Sequence, residues 1–87
     1  MPQFETQYEV VVDGRVLHLD FAWPDHMVGL EYMGKADHGM DQVDSDARRR
    51  GQLTAAGWRV LDATAGIALR DIVRWVDQAL AIARRVQ

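Results

Sequence analysis

The chain has 87 residues, 48% of them hydrophobic and 26% charged, with a formal net charge of -3 and no cysteine. This suffices for one domain with a modest core, and it excludes disulfides, thiolate–zinc sites and thiol catalysis. No apolar run is long enough to cross a bilayer, no signal-peptide pattern opens the chain, and the mild acidity argues against a general nucleic-acid binder while leaving room for a local basic patch; a cytoplasmic protein is the expectation.

Met1 to Thr6 reads as a lead-in. Tyr8 to Val12 alternates and ends in three valines, which predicts a first strand. Asp13-Gly14 is a strong two-residue hairpin signal. Arg15 to Ala22 is the second strand, with a clear period of two. On that period Leu17, Leu19, Phe21 and Trp23 form one apolar face, expected to be core. Val16, His18, Asp20 and Ala22 form the other, expected to be mixed or functional. A polar turn around Pro24-Asp25 leads to the third strand, Val28 to Met33. There Val28, Leu30 and Tyr32 point one way and Gly29, Glu31 and Met33 the other. Gly29 would let a neighbouring group approach the backbone closely.

Residues 24 to 27 as the turn put Trp23 opposite Val28, and counting outward puts Asp20 opposite Glu31. Directly opposed side chains share a face, with Cβ atoms about 4.5–5.5 Å apart. Two carboxylates that close repel unless something positive lies between them, and a hard divalent cation such as Mg²⁺ suits the donors. The alternative is a solvated strand face carrying two ordinary acids. A one-residue change in the turn would separate the pair to opposite faces.

Gly34 to Met40 is a loop carrying Lys35, Asp37 and His38. A helix is predicted from Asp41, a suitable N-cap, to about Ala56, with Asp44 favourable near its N-terminus and Gly57 ending it. Its apolar face is thin: Val43, Ala47, Leu53 and Ala56. The run Arg48, Arg49 and Arg50 reads as a solvated face or a phosphate-binding one, and Asp46 is spaced for a surface ion pair with Arg49 or Arg50. Trp58 to Ala63 is the fourth strand. Ile67 to about Arg85 is the most regular helix, with Leu69, Ile72, Val73, Val76, Leu80 and Ala83 on one stripe. Trp75 lies off that stripe, as a lone exposed aromatic or a contact for a partner chain. The order β-β-β-α-β-α predicts an α/β sandwich, with the meander beside the fourth strand in one mixed sheet flanked by helices. Trp23 and Trp58 read as core. His18 and His38 read as surface residues or acid–base groups. A zinc site, a P-loop and a serine hydrolase are not indicated.

These residues carry a family likeness. Glu5-Thr6-Gln7, Leu19-Asp20-Phe21-Ala22-Trp23-Pro24, Leu30-Glu31-Tyr32-Met33-Gly34 and Asp46-x-x-Arg49-x-x-x-Leu53-x-x-x-Gly57-Trp58-Arg59-Val60 stand in an order that resembles the PD-(D/E)XK nuclease superfamily. Within it the likeness is to the small very-short-patch-repair-like (Vsr-like) endonuclease domains of many bacterial proteins. It spans roughly residues 5 to 85. The resemblance implies a restriction-endonuclease-like core and metal-dependent hydrolysis of DNA phosphodiesters. By it Asp20 and Glu31 are catalytic residues and ligands of Mg²⁺ or Mn²⁺, and Lys35, Arg48, Arg49 and Arg50 hold the DNA backbone. Two departures stand out. Met33 occupies the position where the family has Lys or an acid, and methionine is neither a base nor a ligand for Mg²⁺; Lys35, expected as a further catalytic residue, His18 and His38 are the nearby groups that could replace it. The family's usual first helix is missing before the first strand, which implies a longer native chain, or a homodimer partner covering the sheet. Three functions are therefore expected to compete: a metal-dependent endonuclease, a catalytically impaired DNA-binding or regulatory module, and a protein-interaction module.

Overall fold

The computed structural model describes residues 2–33 and 40–86, the side chains at 33, 40–44, 85 and 86 excepted. The elements run β1 (Glu5–Val12), β2 (Arg15–Trp23), a 3-10 turn (Pro24–His26), β3 (Val28–Met33), α1 (Met40–Ala55), β4 (Arg59–Thr64) and α2 (Leu69–Val86). They form one four-stranded sheet in the order β1-β2-β3-β4. β1, β2 and β3 are antiparallel neighbours, and β4 runs parallel to β3. The mixed α/β class and the element order agree with the sequence reading. The expected loop after β3, with Lys35 and His38, lies outside the described residues, as do the side chains of Met33, Asp41, Val43 and Asp44.

Local chemistry explains the joints. Asp13 and Gly14 both have positive φ, at 51° and 77°, which is the backbone of a two-residue hairpin turn matched to strand twist. Pro24 fixes the start of the 3-10 turn, and Met27 closes it in the left-handed region with its N–H donating to the Pro24 carbonyl at 3.1 Å. The turn length is the one expected, so Trp23 faces Val28, Ala22 faces Gly29 and Phe21 faces Leu30. α1 ends with the Gly57 N–H donating to Thr54 O and the Trp58 N–H to Leu53 O, which satisfies carbonyls the last turn would leave free.

The apolar residues divide between the two sheet faces. On the α1 side Val10, Leu19, Ala22, Leu53 and Trp58 are buried together, flanked by Tyr8, Val12, Leu17 and Val60. On the α2 side Trp23, Val28, Val76, Ala79 and Leu80 are buried, flanked by Phe21, Leu30, Leu61 and Ala83. Thus Leu17, Leu19, Phe21 and Trp23 are not one continuous face, as their spacing predicted. Leu17 and Leu19 pack towards α1, whereas Phe21 and Trp23 pack towards α2. Ala22, assigned to the mixed face, is fully buried.

The change of face has a local cause. β1 and β2 pair in constant register on both sides of Gln7 and Asp20, yet that pair is missing from the ladder, and Gln7 has φ of 49°. A left-handed residue inside a strand turns the alternation over, and the partner strand turns with it. Beyond the break Phe4 packs on Phe21 and Trp23, with ring centroids 5.4 and 5.7 Å apart. Before it Tyr8 packs on Trp58 at 5.8 Å. Gly29 serves the same crossing: a Cβ there would lie 2.9 Å from Leu19 Cδ1, so any larger residue would force the Leu19 side chain to shift. The close approach expected at Gly29 is real, and the group that approaches is a core leucine.

The helices also correct their predicted faces. Of the four apolar residues assigned to α1, Leu53 is fully buried while Ala47 and Ala56 are exposed. The stripe of α2 holds through Ile72, Val76 and Leu80, but Leu69 and Val73 are exposed. They line an apolar groove of about 310 Å³ with Phe4, Phe21, Leu30 and Tyr32 among its walls. Trp75 is half-buried rather than exposed. No helix among the described residues is long and apolar enough to cross a membrane.

The face change at Gln7 is testable by backbone chemistry. A left-handed backbone costs a non-glycine residue about 1–2 kcal/mol and is worst for a β-branched one. Gln7→Gly is expected to stay within about 0.5 kcal/mol of the parent in urea unfolding. Gln7→Val is expected to lose about 1–2 kcal/mol or more. Equal stabilities for the two variants would show that the turnover does not sit at residue 7.

Candidate active site

The functional residues gather where β2 and β3 part. Their paired register ends at Phe21–Leu30, so the expected pairing of Asp20 with Glu31 is not part of the ladder, although the two carboxylates lie near enough to interact. Backbone groups past that point lose their ladder partners and must find others. The Tyr32 N–H donates to Asp20 Oδ2 at 2.8 Å. The His18 carbonyl accepts from the Arg49 guanidinium. Side chains from β2 and α1 thus fill hydrogen bonds that a continuous ladder would have made.

The two acids do not line a common hollow. Asp20 lines a shallow depression with Thr6, Gln7, Phe21 and Tyr32, and its Oδ1 accepts from Gln7 Nε2 at 3.3 Å. Glu31 lines a cleft of about 170 Å³ beneath α1, with Tyr32, Asp46, Arg49, Arg50, Val60 and Asp62 among its walls. Tyr32 borders both. The expected shared pocket is therefore two hollows meeting at the Tyr32 backbone, because the turnover at Gln7 and Asp20 aims the Asp20 carboxylate into the gap between strands. Among the described residues no group of three or more His, Asp or Glu is arranged to hold a metal ion.

The cleft under α1 is a charge network. Glu31 and Asp62 are direct neighbours in the parallel β3–β4 register. Arg49 pairs with Glu31, and Arg50 Nη2 lies 2.5 Å from Asp62 Oδ2. The Glu31 side chain is only 14% exposed. Its Oε1 is shielded from solvent, and the Arg49 guanidinium pairs with it, as ion pair and as hydrogen-bond donor. Burial pushes the Glu31 carboxyl above its ordinary value of 4.5; Arg49 pulls it down, and the nearby Asp20 and Asp62 carboxylates add to the rise.

The other predicted residues divide. Arg48 is exposed on α1. Arg49 and Arg50 turn towards the sheet rather than forming a solvated row with Arg48, and their partners lie on β3 and β4. His18 contributes its carbonyl, while its imidazole lies 3.4 Å from Glu9 on an exposed face. Lys35 and His38 lie outside the described residues. Asp62 was not singled out in the sequence. Its signal was there in part: Asp46, Arg49, Arg50 and Leu53 share helical spacing, so a helix buried at Leu53 brings the arginines inward towards some acid. No protein-family model, curated protein or solved structure matches the chain.

The raised Glu31 carboxyl gives a signed prediction. The folded protein holds this proton more tightly than the unfolded chain. That contribution is complete below pH 4.5 and is lost as pH rises through the folded value. Glu31→Gln removes it. Urea unfolding across roughly pH 4 to 7 is expected to show the parent losing stability relative to the variant as pH rises. A difference that is flat, or that moves the other way, would contradict a net upward shift.

Proposed function

We propose that the chain is a nuclease-type domain acting on DNA phosphodiesters with a divalent cation, as the PD-(D/E)XK resemblance implies. Supporting this are the sheet order, the parallel fourth strand, a helix on each face, and acids on β2 and β3 where those strands separate. The observation that carries the reading is the shielded Glu31 carboxylate, 14% exposed, with the Asp20 and Asp62 carboxylates near enough to act on it. Hard carboxylate oxygens suit Mg²⁺ or Mn²⁺, and the carboxyl oxygens of Asp20 retain acceptor capacity beyond the hydrogen bonds they take. Asp20 and Glu31 are the residues that would hold the ion.

When bound, such an ion supplies a water of lowered pKa and offsets charge on the phosphate. The chain's own part is positioning. The Tyr32 N–H fixes the Asp20 carboxylate, and burial beneath α1 fixes Glu31. Arg48 offers an exposed positive charge to a DNA backbone, and Arg50, with its side chain 48% exposed, lies at the mouth of the cleft. Lys35 belongs to the proposed catalytic and DNA-binding set by sequence position.

A second reading is favoured by Met33 and by Arg49 already pairing with Glu31: a module of this fold that binds DNA without cutting it. Supercoiled plasmid incubated with Mg²⁺ or Mn²⁺ separates the two. Hydrolysis is expected to require the metal and to fall at least about a hundredfold in Asp20→Asn and in Glu31→Gln. Cleavage undiminished in both variants would remove these acids from the chemistry. DNA binding that weakens with salt, with no cleavage under either metal, would establish the second reading.

A further inference from the structure

We infer that Arg49 is a built-in competitor for the divalent cation, its guanidinium standing against the Glu31 carboxylate that an ion would use. This rests on the reading of Asp20 and Glu31 as the metal-holding pair. Arg49 is the cation that reconciles these half-buried acids with one another: it pairs with Glu31 while Asp20 and Asp62 both press on that carboxylate. The same guanidinium donates to the His18 carbonyl, which anchors it at the β2 side of the opening. It reaches there from α1, one turn before the buried Leu53, so packing of the helix aims it into the cleft.

Its position is not that of a surface side chain that happens to touch an acid. Arg48, beside it in sequence, is exposed, and Arg50 is engaged with Asp62. Arg49 meets both strands that part at the site, through the His18 carbonyl and Glu31. A divalent ion on Glu31 has to displace this contact, because two cations cannot share the shielded Oε1 without strong repulsion. A half-buried charge pair of this kind weakens a competing cation by roughly ten- to a hundredfold.

The test is Mn²⁺ binding by calorimetry and by water-proton relaxation, on the full chain without DNA. Arg49→Gln is expected to bind Mn²⁺ about ten- to a hundredfold more tightly than the parent. Arg48→Gln, which removes the same formal charge one residue away, is expected to change affinity less than about threefold. Adding Glu31→Gln to Arg49→Gln should abolish the gain. Parent and Arg49→Gln binding equally tightly would overturn the competition while leaving the metal reading standing. No binding by either would overturn both. An equal gain in Arg48→Gln would reduce the effect to general electrostatics and overturn the assignment to Arg49. Should Arg49→Gln fail to fold, the parent supplies the answer through the Arg49 Nε–H resonance. Diamagnetic Mg²⁺ is expected to shift it and speed its exchange with water, and an unmoved resonance at saturating Mg²⁺ counts against displacement.

Discussion

A β-sheet has no tolerance for unpaired backbone groups in its middle, and this sheet opens in its middle. Where β2 and β3 separate, the Tyr32 N–H and the His18 carbonyl are completed by Asp20 and Arg49. Everything distinctive about the candidate site follows from that repair. A carboxylate is a strong acceptor for a backbone N–H, and a guanidinium a strong donor to a carbonyl. Each brings a full charge into the sheet, and each charge then needs a partner. Glu31 answers Arg49, and Asp62 beside it answers Arg50.

The network explains why α1 is weakly apolar yet still packs. A helix covering a sheet normally buries a broad hydrophobic stripe. Here Leu53 and the nearby Trp58 provide the anchor, and the preceding turn meets the sheet through arginines and acids instead. The exposed part of this arrangement adds little: pairs as open as Arg50–Asp62 contribute about 0–1 kcal/mol. The shielded part is different in kind. Removing one member of a sequestered pair leaves the other desolvated and alone, which costs more than the pair is worth. The α2 face, by contrast, is conventional hydrophobic packing through Val76, Ala79 and Leu80.

How far the sequence disclosed this depends on which force set each feature. The hairpin at Asp13-Gly14 and the register of Trp23 against Val28 were legible because turn chemistry is local. The α2 core stripe was legible because its spacing repeats over several turns. The division of β2 between two faces was not. Leu17, Leu19, Phe21 and Trp23 keep a perfect period of two, and the event that breaks it is the backbone of Gln7, a residue with no strong left-handed preference. Asp20 interrupting an apolar strand was the visible trace, and it pointed to chemistry rather than to the turnover it accompanies. Asp62 beside Glu31 was hidden for another reason: a parallel register is fixed by the packing of the crossover helix, which residue spacing does not encode.

The same side chains thus serve the backbone and the proposed chemistry, and the two duties pull against each other. Asp20 is held in place by a hydrogen bond the sheet requires, so the sheet orients it at no further cost in side-chain freedom. Glu31 is shielded from solvent, and Arg49 offsets the cost of that shielding. A site whose acids were left bare for an ion would place mutually repelling carboxylates beneath a helix with little apolar surface to hold it down. An arginine on that helix resolves the conflict by supplying the positive charge from within the fold. On this view the sparse apolar face of α1 and the charged cleft beneath it are one solution: Leu53 and Trp58 anchor the helix, and its arginines answer the acids of β3 and β4.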